Sequence, residues 1–153
     1  MRFPSISRVW IKRGLLGLLA LLLLIQLVPY GRDHSNPAVV AEPAWDSART
    51  RDLAVRACFD CHSNEVVWPW YSNVAPISWL IQHDVDEGRD ELNFSEWHAG
   101  QEGHEAAETV REREMPPRQY LWTHPAARLS DTERAALNAG LIATFGDEDE
   151  NDD

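Results

Sequence analysis

Cys58-Phe59-Asp60-Cys61-His62 constrains this chain more than any other stretch. Two closely spaced thiols followed directly by an imidazole form C-x-x-C-H, the pattern by which c-type haem is attached. The thiols can form thioethers with the two vinyl groups of the porphyrin, and the histidine can bind the iron. On a helix, positions i, i+3 and i+4 share a face, so Cys58, Cys61 and His62 are expected to point the same way. The sequence has 2 cysteines, and the motif uses both.

Three other chemistries draw on the same residue types. A redox dithiol of the thioredoxin kind follows a strand and opens a helix, whose dipole lowers the thiol pKa. Here a helical pattern precedes the pair. A structural zinc site usually takes a second closely spaced ligand pair, and the chain has none. A disulfide across two intervening residues would be strained and labile. The expectation is therefore one haem c, covalently attached through Cys58 and Cys61, with His62 on the iron.

The other face of the iron is less constrained. Met115 is the one methionine besides the initiator, sits at the end of a predicted helix, and is followed by Pro116 and Pro117, which hold an extended loop. A thioether is a weak neutral ligand and needs such positioning, and Met/His ligation raises the potential. Met115 is the expected sixth ligand, against the plainer reading that it fills a gap in the core. His83, His98, His104 and His124 are its rivals, His83 foremost because it falls on a predicted helix. Any of them would give bis-histidine ligation and a lower potential.

The N-terminus adds an address. Arg2, Arg8, Lys12 and Arg13 precede a leucine-rich run, and no charge occurs from Gly14 to Gly31. That run is at the short end of what crosses a bilayer, and Val9, Trp10 and Ile11 extend it. A cleaved signal peptide would need small residues soon after the apolar core, but Pro29, Tyr30, Gly31 and Arg32 follow, and Val39-Val40-Ala41 lies well beyond. An uncleaved single-pass anchor in the cytoplasmic (inner) membrane is expected over 14–31, with a basic segment 1–13 in the cytoplasm. The remainder would then face the periplasm or extracytoplasmic space.

Residues 32–47, with Pro37 and Pro43, read as a tether, and 48–146 as the haem domain. Ser47 caps a helix predicted from Ala48 to Cys61, with Leu53, Ala54, Ala57, Cys58 and Cys61 on one side. Pro76 opens a second, to about Arg89, with Ile77, Leu80, Ile81 and Val85 inward and Gly88 marking its decay. A third runs roughly from Glu102 to Glu114, with Ala106, Val110 and Ala107 inward, and stops before the prolines. Ser130-Asp131-Thr132-Glu133 is a capping box for a last helix to Phe145, with Leu137, Gly140, Leu141 and Thr144 on one stripe. The acidic stretch 147–153 is expected to be a disordered tail. The fold class is all-α.

The formal charge is -11, yet the first 32 residues hold only basic groups, so all 25 acids lie beyond them. That acidity excludes nucleic acid as a partner and favours a redox protein with a basic docking surface. No carboxylate pair is placed for acid–base catalysis, so an electron carrier is expected rather than an enzyme. Most of the 7 tryptophans are expected in the core.

The plan of helix, C-x-x-C-H, Met-Pro-Pro and closing helix resembles class I cytochromes c, although Ala54 stands where those often carry an aromatic residue. More narrowly, Cys58-Phe-Asp-Cys-His62, Trp68-Pro-Trp-Tyr-Ser72, Ala75-Pro-Ile-Ser-Trp79 and Glu114-Met-Pro-Pro117 are similar to the bacterial haem-binding domain family. Its members are small membrane-anchored proteins with a single C-x-x-C-H. The resemblance implies a small cytochrome c-like haem domain after the anchor and one-electron transfer. The alternative is a haem-based sensor or a peroxidase-like protein with an open sixth site.

Overall fold

The computed structural model describes residues 7–98, 101 and 103–146. Its regular elements are α1 (Arg8–Ile25), α2 (Ala48–Ala57), α3 (Phe59–His62), α4 (Ile77–Glu91), α5 (Glu105–Arg111), α6 (Tyr120–Thr123) and α7 (Asp131–Phe145). Short 3-10 turns span Trp70–Asn73 and Pro125–Ala127. The only extended pairing among the described residues is an isolated parallel bridge, Ala41 to Glu96. The all-helical expectation therefore holds for the described residues. The acidic stretch 147–153 lies outside them.

The transmembrane expectation does not hold. α1 begins at Arg8 and carries Lys12 and Arg13 in its first turns, and it ends at Ile25. Only Gly14 to Ile25 is both helical and uncharged, about 18 Å of rise, against a hydrocarbon core of about 30 Å. No helix among the described residues is long and apolar enough to cross a membrane. The anchor over 14–31 is corrected on that finding, and the single-pass inner-membrane location goes with it. The sequence run looked longer because it continued through Gln26, Leu27 and Val28, where the helix has already given way to tighter turns.

The chain divides into two compact units, 1–34 with 69–83 and 35–68 with 84–153. In the first, the Gln26 side chain clasps Ala75, donating to its carbonyl at 2.9 Å and accepting from its N–H at 3.0 Å. Ser72 in the Trp70–Asn73 turn meets His34 Nε2 at 2.9 Å.

The second unit holds the main core. Leu53 and Ala54 from α2, Phe59 from α3, Leu92 and Phe94, Ala107 and Val110 from α5, and Leu137 and Leu141 from α7 form one buried cluster. Trp45, Trp97 and Phe145 close it, with Trp45 5.1 Å from the Phe94 ring and Trp97 4.7 Å from Phe145. Core packing thus accounts for Trp45 and Trp97, whereas Trp70 and Trp122 are 79% and 78% exposed. Trp45 lies in the stretch expected as a tether, where Val40 N–H also donates to Ser95 O at 2.8 Å.

Local chemistry sets the helix ends. Ser47 Oγ accepts from Thr50 N–H, and the Ser130–Glu133 capping box is fully formed. α5 is shorter than expected because Arg113, at φ 65°, leaves the helix before the prolines arrive. On α4 the buried face is Ser78, Val85 and Gly88, while Ile77 and Leu80 are exposed. Small residues, not the largest hydrophobes, mark the face along which backbones approach.

The same rule governs the contact of α2 with α7. A Cβ at Gly140 would land on Thr50 Oγ1, with Thr50 Cγ2 at 2.7 Å. Gly140→Ala is expected to cost about 2 kcal/mol through this overlap, seen as a lower urea midpoint. An unchanged midpoint would show that the two helices can separate freely.

Candidate functional site

Cys58 does not continue α2. Its φ of -124° and ψ of -35° break the helix after Ala57, and its carbonyl then accepts from Cys61 N–H at 3.0 Å and His62 N–H at 2.9 Å. The expected single helix from Ala48 to Cys61 is thus two, and the motif winds its own turn around the Cys58 carbonyl. The break re-aims the motif relative to α2, so its direction could not be read from α2's stripe.

Both cysteines are free thiols and both are partly buried. Burial pushes each thiol up to about 12, and the carboxylates of Asp84 and Asp60 add to the effect at Cys61. A redox dithiol needs the opposite shift, so the environment disfavours that chemistry.

His62 Nδ1 lies 3.0 Å from the Leu92 carbonyl oxygen. A carbonyl only accepts, so Nδ1 carries the ring proton and Nε2 presents its lone pair. Metal-binding histidines take this tautomer from just such a partner. Burial lowers the His62 pKa, outweighing the backbone hydrogen bonds to Leu92 and Gly88 that raise it. The ring sits 6.4 Å from that of Phe94, at the edge of the core cluster.

The Leu92 carbonyl is itself held. Phe94 N–H donates to His62 O at 2.8 Å, and Asn64 N–H donates to Ser95 Oγ at 3.0 Å. Asn93 Nδ2 donates to Asn64 Oδ1 at 3.1 Å, while Asn93 Oδ1 accepts from Ser95 N–H at 2.9 Å. Residues 92–95 thus form a strap hydrogen-bonded along residues 62–64. Beside it a cavity of about 370 Å³ is lined by charged and polar groups, among them Arg89, Glu91, Glu96 and His98. Those walls do not suit the apolar faces of a porphyrin.

Met115 packs against the same core cluster as Cys58. Its N–H donates to Thr109 O at 3.1 Å, and its carbonyl accepts from Arg134 Nη1 at 3.1 Å. The residues after it return to the motif, where Tyr120 Oη donates to Asp60 Oδ2 at 2.6 Å. Asp60 Oδ1 accepts from Val67 N–H at 3.0 Å. Burial and this bond to Asp60 push the Tyr120 phenol far above its ordinary range.

Among the rival histidines, His83 is exposed on α4 and His98 is exposed at the polar cavity. His104 precedes α5. His124 stacks on Tyr120 at 4.0 Å, and its Nδ1 meets the Tyr120 carbonyl at 3.0 Å. It is thereby brought closer to the motif than the sequence order suggested.

The donors fit an iron porphyrin: two unpaired thiols and an imidazole held through Nδ1 by a carbonyl on one turn, beside an aromatic core. Sequence reasoning missed the Leu92 carbonyl, the Asn64–Asn93–Ser95 ties, Asp60 and Tyr120, and it took Gly88 for the decay of a helix that runs on to Glu91. A backbone acceptor leaves no signature, but a glycine inside a helical pattern does. A Cβ at Gly88 would lie 2.8 Å from Cys61 O and 3.0 Å from Cys61 Cβ. Gly88→Ala is therefore expected to lower bound haem per folded protein severalfold, measured as haem absorbance against protein. An unchanged ratio would show that α4 and the motif turn adjust without effect on the site.

No curated protein and no solved structure matches the chain. A family model described as "Haem-binding domain" matches residues 20–142. The match contains the motif turn, the strap, Met115 and most of α7, and by it this chain belongs to the haem-binding domain family.

Proposed function

We propose that this haem-binding chain is a monohaem c-type cytochrome that carries single electrons. Cys58 and Cys61 would hold the porphyrin as thioethers, His62 would bind the iron through Nε2, and Met115 would be the second protein ligand to the iron. The observation that carries this reading is the His62 Nδ1 to Leu92 O hydrogen bond on the same turn as two unpaired thiols. Bound there, the iron supplies a reversible one-electron couple.

The chain's residues do the rest. The Leu92 carbonyl fixes the tautomer and plane of His62, and its bond to Nδ1–H makes Nε2 a stronger donor. The Thr109 and Arg134 bonds hold the backbone of Met115 from both sides, so its thioether need not pay for ordering a loose loop. The excess of acids beyond residue 32 favours a partner with a basic docking surface, in a salt-sensitive way. Protein side chains need supply no proton for such a transfer, and no acid–base pair is assigned.

A second reading rests on one observation. His124 has Nδ1 engaged by a carbonyl, as His62 does, and stacks on a residue bonded to the motif. It is the histidine best equipped to replace Met115.

The oxidised spectrum separates the readings. A low-spin Soret with the weak sulfur-to-iron charge-transfer band is expected, and Met115→Ala is expected to abolish that band and lower the potential. A low-spin spectrum without the band, lost in His124→Ala, would replace Met115 by His124. A high-spin spectrum that shifts promptly with carbon monoxide would overturn the carrier in favour of a sensor or peroxidase-like protein.

A further inference from the structure

The hydrogen bond from Tyr120 to Asp60 joins the two segments on which the proposed site depends. Asp60 lies inside the C-x-x-C-H turn, between the two cysteines. Tyr120 opens α6, five residues after Met115, and Pro116 and Pro117 stiffen the chain between them. The bond is 2.6 Å long and partly buried. Asp60 is not free to swing, because its other oxygen accepts from Val67 N–H at 3.0 Å. Tyr120 is likewise fixed by the His124 ring stacked on it at 4.0 Å. At the other end of the segment, Arg134 Nη1 bridges the carbonyls of Val110 and Met115 at 3.0 and 3.1 Å.

A segment tied at both ends has few ways to lift away. Arg134 secures the Met115 end to α7, and Tyr120 secures the far end to the motif. We infer that Tyr120 and Asp60 form a latch that holds the Met115 segment over the C-x-x-C-H turn, making them positioning residues for the sixth ligand. This rests on Met115 being that ligand. It adds a specific control: the latch sets how readily an outside ligand displaces the thioether, since displacement requires the segment to open. A phenol bonded to a carboxylate is among the stronger hydrogen bonds of a folded chain. Its loss therefore moves the opening equilibrium measurably.

The test uses the haem-loaded full chain and imidazole as the competing ligand. Tyr120→Phe keeps the ring and its stack on His124 and removes only the hydroxyl. It is expected to bind imidazole about tenfold more tightly, read as loss of the sulfur-to-iron band, with the haem still covalently held. Asp60→Asn retains an acceptor and is expected to fall between wild type and Tyr120→Phe. In the double variant the two effects should not add. Structural weakening alone would lower the urea midpoint and leave imidazole affinity unmoved.

Amide exchange of Leu121, Trp122 and His124 in the same samples gives a readout that does not need Met115. Exchange about tenfold faster in Tyr120→Phe is expected. Unchanged exchange overturns the latch whichever residue binds the iron. If Met115→Ala keeps the wild-type spectrum while Tyr120→Phe speeds exchange, the latch stands and the assignment of the sixth ligand fails. If Met115→Ala loses the band and Tyr120→Phe leaves imidazole affinity unchanged, the latch fails and the ligand assignment stands.

Discussion

The His62 Nδ1 to Leu92 O hydrogen bond is the contact on which the rest of the site depends. It chooses the tautomer and fixes the ring plane. One such bond contributes only about 1 kcal/mol net, too little to hold a ring against the pull of alternative rotamers. The fold compensates by making its acceptor immovable. Phe94 N–H on His62 O, Asn93 on Asn64, and Ser95 on both form a short ladder of satisfied polar groups. Asn64, Asn93 and Ser95 are all buried. A buried network of this kind is stiff while complete, because each lost partner leaves a desolvated group unpaired at a cost of about 1–3 kcal/mol.

Two kinds of packing carry that ladder. On one side lies the aromatic cluster of Trp45, Phe59, Phe94 and Phe145, in which the Phe59 and Phe94 rings stack at 5.6 Å. Phe59 comes from inside the motif and Phe94 from inside the strap, so the apolar core and the polar ladder share residues. On the other side, Gly88 lets α4 close on Cys61 without a side chain between. The motif turn is thus gripped by a helix backbone and a ring stack, which is why the five residues from Cys58 to His62 suffice to present three functional groups.

The legible parts of this fold were those with local chemistry. Ser47 and the Ser130–Glu133 box start their helices as read, because capping needs only neighbours in sequence. Leu53, Ala54, Leu137 and Leu141 are buried as their periodicity implied. What failed depended on partners far away. α4 turned because Ser78 and Gly88 admit close neighbours, so Ile77 and Leu80 were left outside. α1 failed as a span because Lys12 and Arg13 belong to the helix itself rather than to a flank before it. In the site, C-x-x-C-H could be read directly from the sequence. The Leu92 carbonyl and the Tyr120–Asp60 bond could not be foreseen, since one is backbone and the other spans 60 positions.

Acid–acetone extraction followed by a pyridine haemochrome spectrum of the protein fraction tests the central claim most directly. Thioethers at Cys58 and Cys61 would saturate the porphyrin vinyls, so the proposed attachment predicts that the haem stays with the denatured chain and gives the blue-shifted α-band of a c-type haemochrome. The Cys58→Ser, Cys61→Ser variant should release it. Haem that extracts fully into the solvent from the wild-type protein, with a vinyl-bearing spectrum, would contradict covalent attachment and the role given to this turn.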